Sequence, residues 1–462
     1  MSKHRINLLD GRVAPTLLRL AGPMVLGLVA IILFNVVDTF WVGRLGGREL
    51  AAMSFTFPVV FLLMSISIGM GVGVTSVVSR VIGEGDTHRV CRLTTDGLFL
   101  ANTLVIVFAI SGILTIGPIF RTLGAPPEMI VLIRSYMVPW YVGIGFIVIP
   151  IVGNAAIRAT GDTKTPSLIM IIAGGVNMVL DPVLIFGVGP FPRLELQGAA
   201  IATVIAYTVT FFAAFWILWK RERMLEFSRP RVREVLDSWS RILYVGVPAA
   251  GTQMLVPLGT GILTRLVSKF GPDAVAAFGV GARIESLSMI GPMALAASVT
   301  PFVGQNLGAR NWPRVRAALR FATRASVVYG AVMAAGLALV AHPLAALFSI
   351  DAAVVDLITS YLYILPVSYG LFGVMFAVNS TFNAANQPMK SAFNISVRLF
   401  VLAVPLALAG SALAGLPGLF GGISLANMFV GLLAILLARR FLAGVEGEWT
   451  PITSFAERDL TL

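Results

Sequence analysis

Charge is scarce in this chain. Of 462 residues only 12% are Asp, Glu, Lys or Arg, while 57% are hydrophobic. Soluble domains carry about 25% charged residues. No soluble fold hides so much apolar surface, so the surrounding solvent is expected to be lipid. Cysteine is nearly absent: Cys91 alone excludes an internal disulfide. It stands beside Arg89 and Arg92 and reads as an incidental thiol. His4, His88 and His342 have no metal-ligand spacing. A Walker-type phosphate loop is missing and no loop is long enough for a nucleotide-binding domain, which argues against ATP-driven work. Gly69, Gly71 and Gly73 fall inside an apolar run, where small residues serve close helix packing. No Ser/His/Asp or metal constellation is readable, so an enzyme is not expected. The first apolar run is too long for a signal peptide and many more follow it.

Apolar runs are abundant at the length needed to cross a bilayer, about 20 residues. They fall near 16–43, 51–79, 95–119, 134–157, 167–188, 197–219, 242–268, 274–301, 317–341, 357–383, 390–413 and 419–438. Twelve spans are therefore expected. The net charge of +12 would suit nucleic acid only if basic residues shared a soluble face. It is better explained by the positive-inside rule. With the N-terminus inside, the cytoplasmic side receives Lys3, Arg5 and Arg12, then Arg80, Arg89 and Arg92, then Arg158 and Lys164. It also receives the run from Lys220 to Arg241, Arg310 to Arg324, Lys390, Arg398, Arg439 and Arg440. Both termini are thus expected in the cytoplasm.

The two halves repeat at one fixed offset. Pro23 matches Pro248, and with the same spacing Gly83 matches Gly308, Tyr136 matches Tyr361 and Asn154 matches Asn379. RLGGRELAA at 44–52 matches KFGPDAVAA at 269–277. Self-similarity over so long a stretch marks an internal duplication. Six spans per half is an even number, so the repeats are parallel and related by an axis along the membrane normal. The expected fold is an all-α membrane protein of twelve transmembrane helices in two pseudo-symmetric six-helix bundles. The N-lobe takes 1–219, a cytoplasmic linker 220–241, the C-lobe 242–441 and a cytoplasmic tail 442–462. An amphipathic surface helix fits within the linker. The substrate path is expected between the lobes.

Two isolated acids carry the chemistry. Asp38 is the only charged residue from Leu20 to Gly43, and Asp181 the only one between Lys164 and Arg193. A carboxylate at bilayer depth costs about 2.5–3.5 kcal/mol on insertion scales and is rarely kept without a function. At the repeat offset Asp38 meets Leu263, so this chemistry belongs to the first half. Asn177 and Asp181 are four apart and share a helix face. By the topology both acids lie in the outer half of the bilayer. Two carboxylates sharing one low-dielectric pocket cannot both ionise cheaply, which suits a proton, and the same oxygens suit Na⁺ at Asp38, Asn177 and Asp181. The bland alternative is a private hydrogen bond for each acid. Pro23, in the helix of Asp38, is expected to bend it; a static kink is the alternative. Phe34 and Met170 are candidates for an adaptable apolar cavity. Arg283 and Glu285 form a candidate C-lobe polar pair; being two apart, they do not share a helix face and each needs a partner elsewhere.

The runs NVVDTFWVGRLG (35–46), SRVIGEGD (79–86), RATGDTKTP (158–166), NMVLDPVLIFG (177–187), GAAIAT (198–203) and ARIESL (282–287) resemble the multidrug and toxic compound extrusion (MATE) family. They resemble most the branch containing DNA-damage-inducible protein F, over nearly the whole chain. The resemblance implies an outward-open to inward-open cycle that exports lipophilic or cationic small molecules against inward H⁺ or Na⁺. It implies a coupling site in the N-lobe at Asp38, Tyr136, Asn154, Asn177, Asp181 and Thr203, with Pro23 as the bend. Other branches place acids in C-lobe helices, where Glu285 is the one acid deep in a span. No cofactor beyond the coupling ion, no nucleic acid and no obligatory protein partner is expected. Membrane lipid is the surroundings, and the expected location is a bacterial or archaeal cytoplasmic (inner) membrane. The alternative reading is a flippase for lipid-linked cell-wall or polysaccharide precursors.

Overall fold

A computed structural model describes residues 6–229 and 231–444. Lys3, Arg5 and most of the expected tail, from 445 on, lie outside the described residues. Among those described there are helices and no strands. Span 1 is α1 (Val13–Gly43), span 2 is α2 (Gly47–Glu84) and span 3 is α3 (Thr87–Thr122). Span 4 is a broken pair, α4 (Pro127–Val142) and α5 (Ile144–Ala159), bent by 51° at Gly143. Spans 5 and 6 are α6 (Lys164–Phe186) and α7 (Glu195–Trp216), the latter ending in a π-helical turn, Ile217–Arg221.

The C-lobe begins with α8 (Val232–Val267). Span 8 is a second broken pair, α9 (Pro272–Ser288) and α10 (Ile290–Gly308), bent by 42°. Then come α11 (Trp312–Ala346), α12 (Ala352–Ile364), a 3-10 turn at Leu365–Ser368 and α13 (Tyr369–Ala384). That turn falls at the place in span 10 that corresponds to the α4–α5 break. The last stretch holds α14 (Pro388–Ser396), a π-helical segment at Val397–Ala403 and α15 (Val404–Gly444).

The last stretch is 57 residues long. As one straight helix it would run about 85 Å, nearly three times a ~30 Å hydrocarbon core. It does not. Ala414 and Gly415 leave the helical region, Gly415 with φ 62°, a left-handed value that glycine adopts without a Cβ clash. The chain doubles back there: a Cβ on Gly410 would lie 2.7 Å from the carbonyl carbon of Gly418, and one on Gly422 2.6 Å from the amide of Ala407. Among the described residues nine continuous segments and two bent pairs make eleven, and the hairpin divides the last segment into two, which makes twelve spans.

Each half has its own apolar core. One runs from Val42 to Ile242 and the other from Leu263 to Phe441. The connection between them is shorter than the expected 220–241, because helix resumes at Val232. The side chain of Glu234 caps the start of α8 by accepting from the Arg231 amide, 3.4 Å away. Trp239 then donates to the carbonyl of Asp96 at 3.2 Å and packs on Phe99, which ties the start of α8 to the N-lobe.

The lobes meet along α2 with α8 and α10, and along α1 with α10. Small residues permit the approach: a Cβ on Gly69 would sit 2.6 Å from the amide of Ala250. Toward the linker side the contact becomes a two-fold seal. Arg80 donates to the carbonyl of Ala384 at 2.8 Å, and Gln305 to the carbonyl of Ala159 at 2.7 Å. The two donors stand at the repeat offset from one another, and so do the two acceptors. Residues 6–11 fill the same end. Arg314 donates to the carbonyls of Leu8 (2.9 Å), Asp10 (3.0 Å) and Gly11 (2.6 Å), and Asn306 to that of Leu8 (3.0 Å).

Candidate functional site

The N-lobe site is assembled by close helix seams. Gly27 on α1 lies against Ser167 and Met170 of α6, with contacts of 3.3 Å for a Cβ there, and Gly174 on α6 faces Ala30 and Phe34. These seams bring Asp38 of α1 toward Asn177 and Asp181 of α6. Gly198 does the same for α7, since a Cβ there would lie 2.6 Å from the carbonyl carbon of Leu184. The bend at Gly143 turns span 4 so that Tyr136 on one segment and Asn154 on the other both face inward and are buried.

Asp38, Tyr136, Asn154, Asn177, Asp181 and Thr203 are all buried. Asn177 Nδ2 donates to Asp181 Oδ1 at 3.0 Å and reaches Thr203 Oγ1 at 3.4 Å. Asp38 and Asp181 are within electrostatic reach of one another, and Tyr136 of both. Four of the site's oxygens are buried with no hydrogen-bond donor among the described residues: Asp38 Oδ1, Asn154 Oδ1, Asn177 Oδ1 and Asp181 Oδ2. Buried polar groups without partners are costly and uncommon. Here all four are oxygens that can accept, two of them on carboxylates.

The other expected residues are distributed differently. Pro23 is half-buried in α1, whose helical backbone continues through it. Met170 Sδ packs on Gly27, so it fills the α1–α6 seam, while Phe34 meets Tyr207 edge-on at 6.5 Å. Arg283 and Glu285 do not pair. Arg283 is exposed, Glu285 is half-buried, and no ion pair joins them among the described residues. The reason is the turn of about 200° between positions two apart on a helix. Glu285 Oε2 instead accepts from the Tyr361 hydroxyl at 2.7 Å.

The arginine inside the C-lobe is Arg398, which the basic-residue pattern assigns to the linker side. It lies in the π-helical segment Val397–Ala403, and π-bulges concentrate at functional sites. Its Nε donates to Asn427 Oδ1 at 2.7 Å, and its guanidinium lies over the Phe372 ring at 4.0 Å. Asn427 Nδ2 continues to Ser368 Oγ at 3.1 Å. Asn379, the repeat mate of Asn154, accepts from Asn394 at 2.9 Å. The C-lobe thus keeps the Tyr and Asn of the N-lobe site but exchanges its two acids for one acid and one arginine. The break in span 8 is stabilised nearby: Pro292 has no N–H for the carbonyl of Ser288, and the Tyr329 hydroxyl donates to it at 2.8 Å.

Known proteins share this architecture. The MatE family model matches residues 23–183 and 248–409, so the second match begins at the repeat mate of the residue that begins the first. The chain is 38% identical to a FAD transporter of Shewanella oneidensis, over 95% of this chain and 97% of that one. It is 30% identical to the probable multidrug resistance protein YoeA of Bacillus subtilis, over 78% of this chain and 81% of that one. The crystal structure of the Vibrio cholerae MATE transporter VcmN in the bent form superposes with a TM-score of 0.89 at 28% identity, covering 94% of this chain and 97% of that one. Twelve spans in two repeated halves, acids held inside the first, and family matches aligned on both repeats together show that the chain belongs to the MatE family of membrane transporters.

Proposed function

We propose that this chain is a secondary active exporter of amphipathic small molecules, driven by inward H⁺ or Na⁺ through the N-lobe carboxylates. The observation that carries the reading is the pair of buried acids, Asp38 and Asp181 with Asn177 beside them, each with an oxygen that no donor among the described residues reaches. A proton on either acid supplies the missing donor. A sodium ion fits the same set, which is all oxygen. Export against a gradient follows if ion and cationic substrate compete for these acids. One charge crossing 100 mV carries about 2.3 kcal/mol, which sustains a concentration ratio of roughly 50. The linker side is cytoplasmic in this reading, the membrane is the inner one, and the family branch is that of DNA-damage-inducible protein F.

Drug-like lipophilic cations are the substrate class favoured by paired acids, as in the relatives named for multidrug resistance. A second reading, export of FAD or a similar flavin nucleotide, is favoured by the 38% identity to the Shewanella protein. The flippase alternative draws no support from these names. The test is transport into proteoliposomes under separately imposed proton and sodium gradients, with a fluorescent cation and with FAD. Accumulation should follow one gradient and vanish in both Asp38→Asn and Asp181→Asn, with insertion intact. Full gradient-driven transport in either variant would overturn the mechanism.

A further inference from the structure

We propose that the C-lobe holds a binding site for an oxyanion, the phosphate or carboxylate of a transported molecule, with Arg398 as its receptor. This rests on the exporter reading above and adds the chemistry of the second lobe. Arg398 is half-buried, yet its guanidinium is incompletely used. Nε is taken by Asn427 and one face by Phe372, while the Nη groups donate to no acceptor among the described residues. A guanidinium presents paired donors in a plane that matches phosphate and carboxylate, and stacking on an aromatic ring holds that plane fixed. A second unused group lies in the same lobe: the Tyr369 hydroxyl is fully buried with no partner among the described residues, and it and Arg398 are both within electrostatic reach of Glu285.

Glu285 balances the charge of Arg398 without occupying its donors. Its near partner is the Tyr361 hydroxyl at 2.7 Å, and no Glu285–Arg398 ion pair closes among the described residues. A structural ion pair would close that gap. Depth along the helix argues against the headgroup of a bilayer lipid. Arg398 lies ten residues beyond Pro388, the start of α14. That is about 15 Å along a helix, or half of a ~30 Å hydrocarbon core.

Flavins provide the probe, because riboflavin and FMN differ only by a phosphate. Binding to the purified full chain in detergent is read by flavin fluorescence. The wild type should bind FMN about tenfold more tightly than riboflavin, the effect of charge-assisted hydrogen bonds. Inorganic pyrophosphate should displace FMN and leave riboflavin in place. Arg398→Met should bring the FMN-to-riboflavin ratio to about one. Glu285→Gln, which keeps an acceptor for Tyr361 but removes the competing charge, should tighten FMN. Equal affinities in the wild type, an unchanged ratio in Arg398→Met, or weaker FMN binding in Glu285→Gln would overturn the site. The pyrophosphate arm decides the matter if Arg398→Met does not fold. Failure of gradient-driven transport in liposomes would remove the exporter reading and leave this binding result standing.

Discussion

The seal on the linker side makes the conformational cycle accessible to a single methyl group. Gly83 of α2 faces the backbone of Gln305 on α10, and its repeat mate Gly308 faces that of Arg80. A Cβ on Gly83 would lie 2.7 Å from the carbonyl carbon of Gln305 and 2.9 Å from its Cα. On Gly308 it would lie 3.0 Å from the carbonyl carbon of Arg80 and from the amide of Glu84. These neighbours are backbone atoms of rigid helices, so neither can rotate away. Forcing a methyl into so tight a seam costs about 1–3 kcal/mol. The cost falls only on the state in which the linker-side ends touch; once the lobes part there, the methyl meets nothing. Gly83→Ala should therefore shift the equilibrium toward opening by roughly 5- to 150-fold. The hydrogen bonds from Arg80 to Ala384 and from Gln305 to Ala159 would break in the same motion.

Spin labels on cysteines placed at Lys164 and Met389, in a Cys91→Ala background, would read this shift. Both positions are exposed, stand on opposite lobes and begin α6 and α14 on the linker side. A closed state populated at about 99% leaves the open state at about 1%, and a tenfold shift raises it to about 9%. A longer distance should appear in Gly83→Ala and in Gly308→Ala. In the double variant the gain should be less than the product, because both methyls act on one seam. Identical distance distributions in the wild type and both single variants would refute the reasoning.

Other predictions concern the sites themselves. Tyr329→Phe leaves the carbonyl of Ser288 without a donor, because Pro292 cannot supply one. The loss should be about 1–3 kcal/mol, seen as a lower melting midpoint in detergent. Gly198→Ala places a Cβ 2.6 Å from the carbonyl carbon of Leu184 and should push α7 off α6. Export should fall more than the melting midpoint, as Thr203 moves away from Asn177. Thr203→Val removes the more distant of the two Asn177 contacts, 3.4 Å against 3.0 Å to Asp181. Its effect on the apparent affinity for the coupling ion should be a few-fold, about 1 kcal/mol or less, in an ion-titrated transport assay.

What the sequence made legible divides along a physical line. Hydropathy is a property of runs, so the twelve spans could be read from it, including the two that share one helical stretch on either side of Gly415. The repeat offset likewise paired residues that the fold places in equivalent positions, such as Gly83 with Gly308 and Tyr136 with Tyr361. The breaks at Gly143 and Met289 were hidden, because a 51° or 42° bend needs only a local change in backbone hydrogen bonding and leaves the apolar run intact. Asp38, Asn177 and Asp181 were legible because each is polar in an apolar run, a signal that survives without knowing the packing, whereas Tyr136, Asn154 and Thr203 came from the family resemblance alone. Arg398 shows where that rule was applied unevenly. It is the only charged residue between Lys390 and Arg439, as isolated as Asp38, yet counting it with nearby loop residues placed it at the surface. For Arg283 and Glu285 the two-residue spacing already assigned separate partners, and the fold gives Glu285 the Tyr361 hydroxyl. A charge inside a span is best judged by the apolar length on both sides of it and by the face it shares. By that measure Asp38, Asp181, Glu285 and Arg398 form one set, two acids in the first lobe and an acid with an arginine in the second.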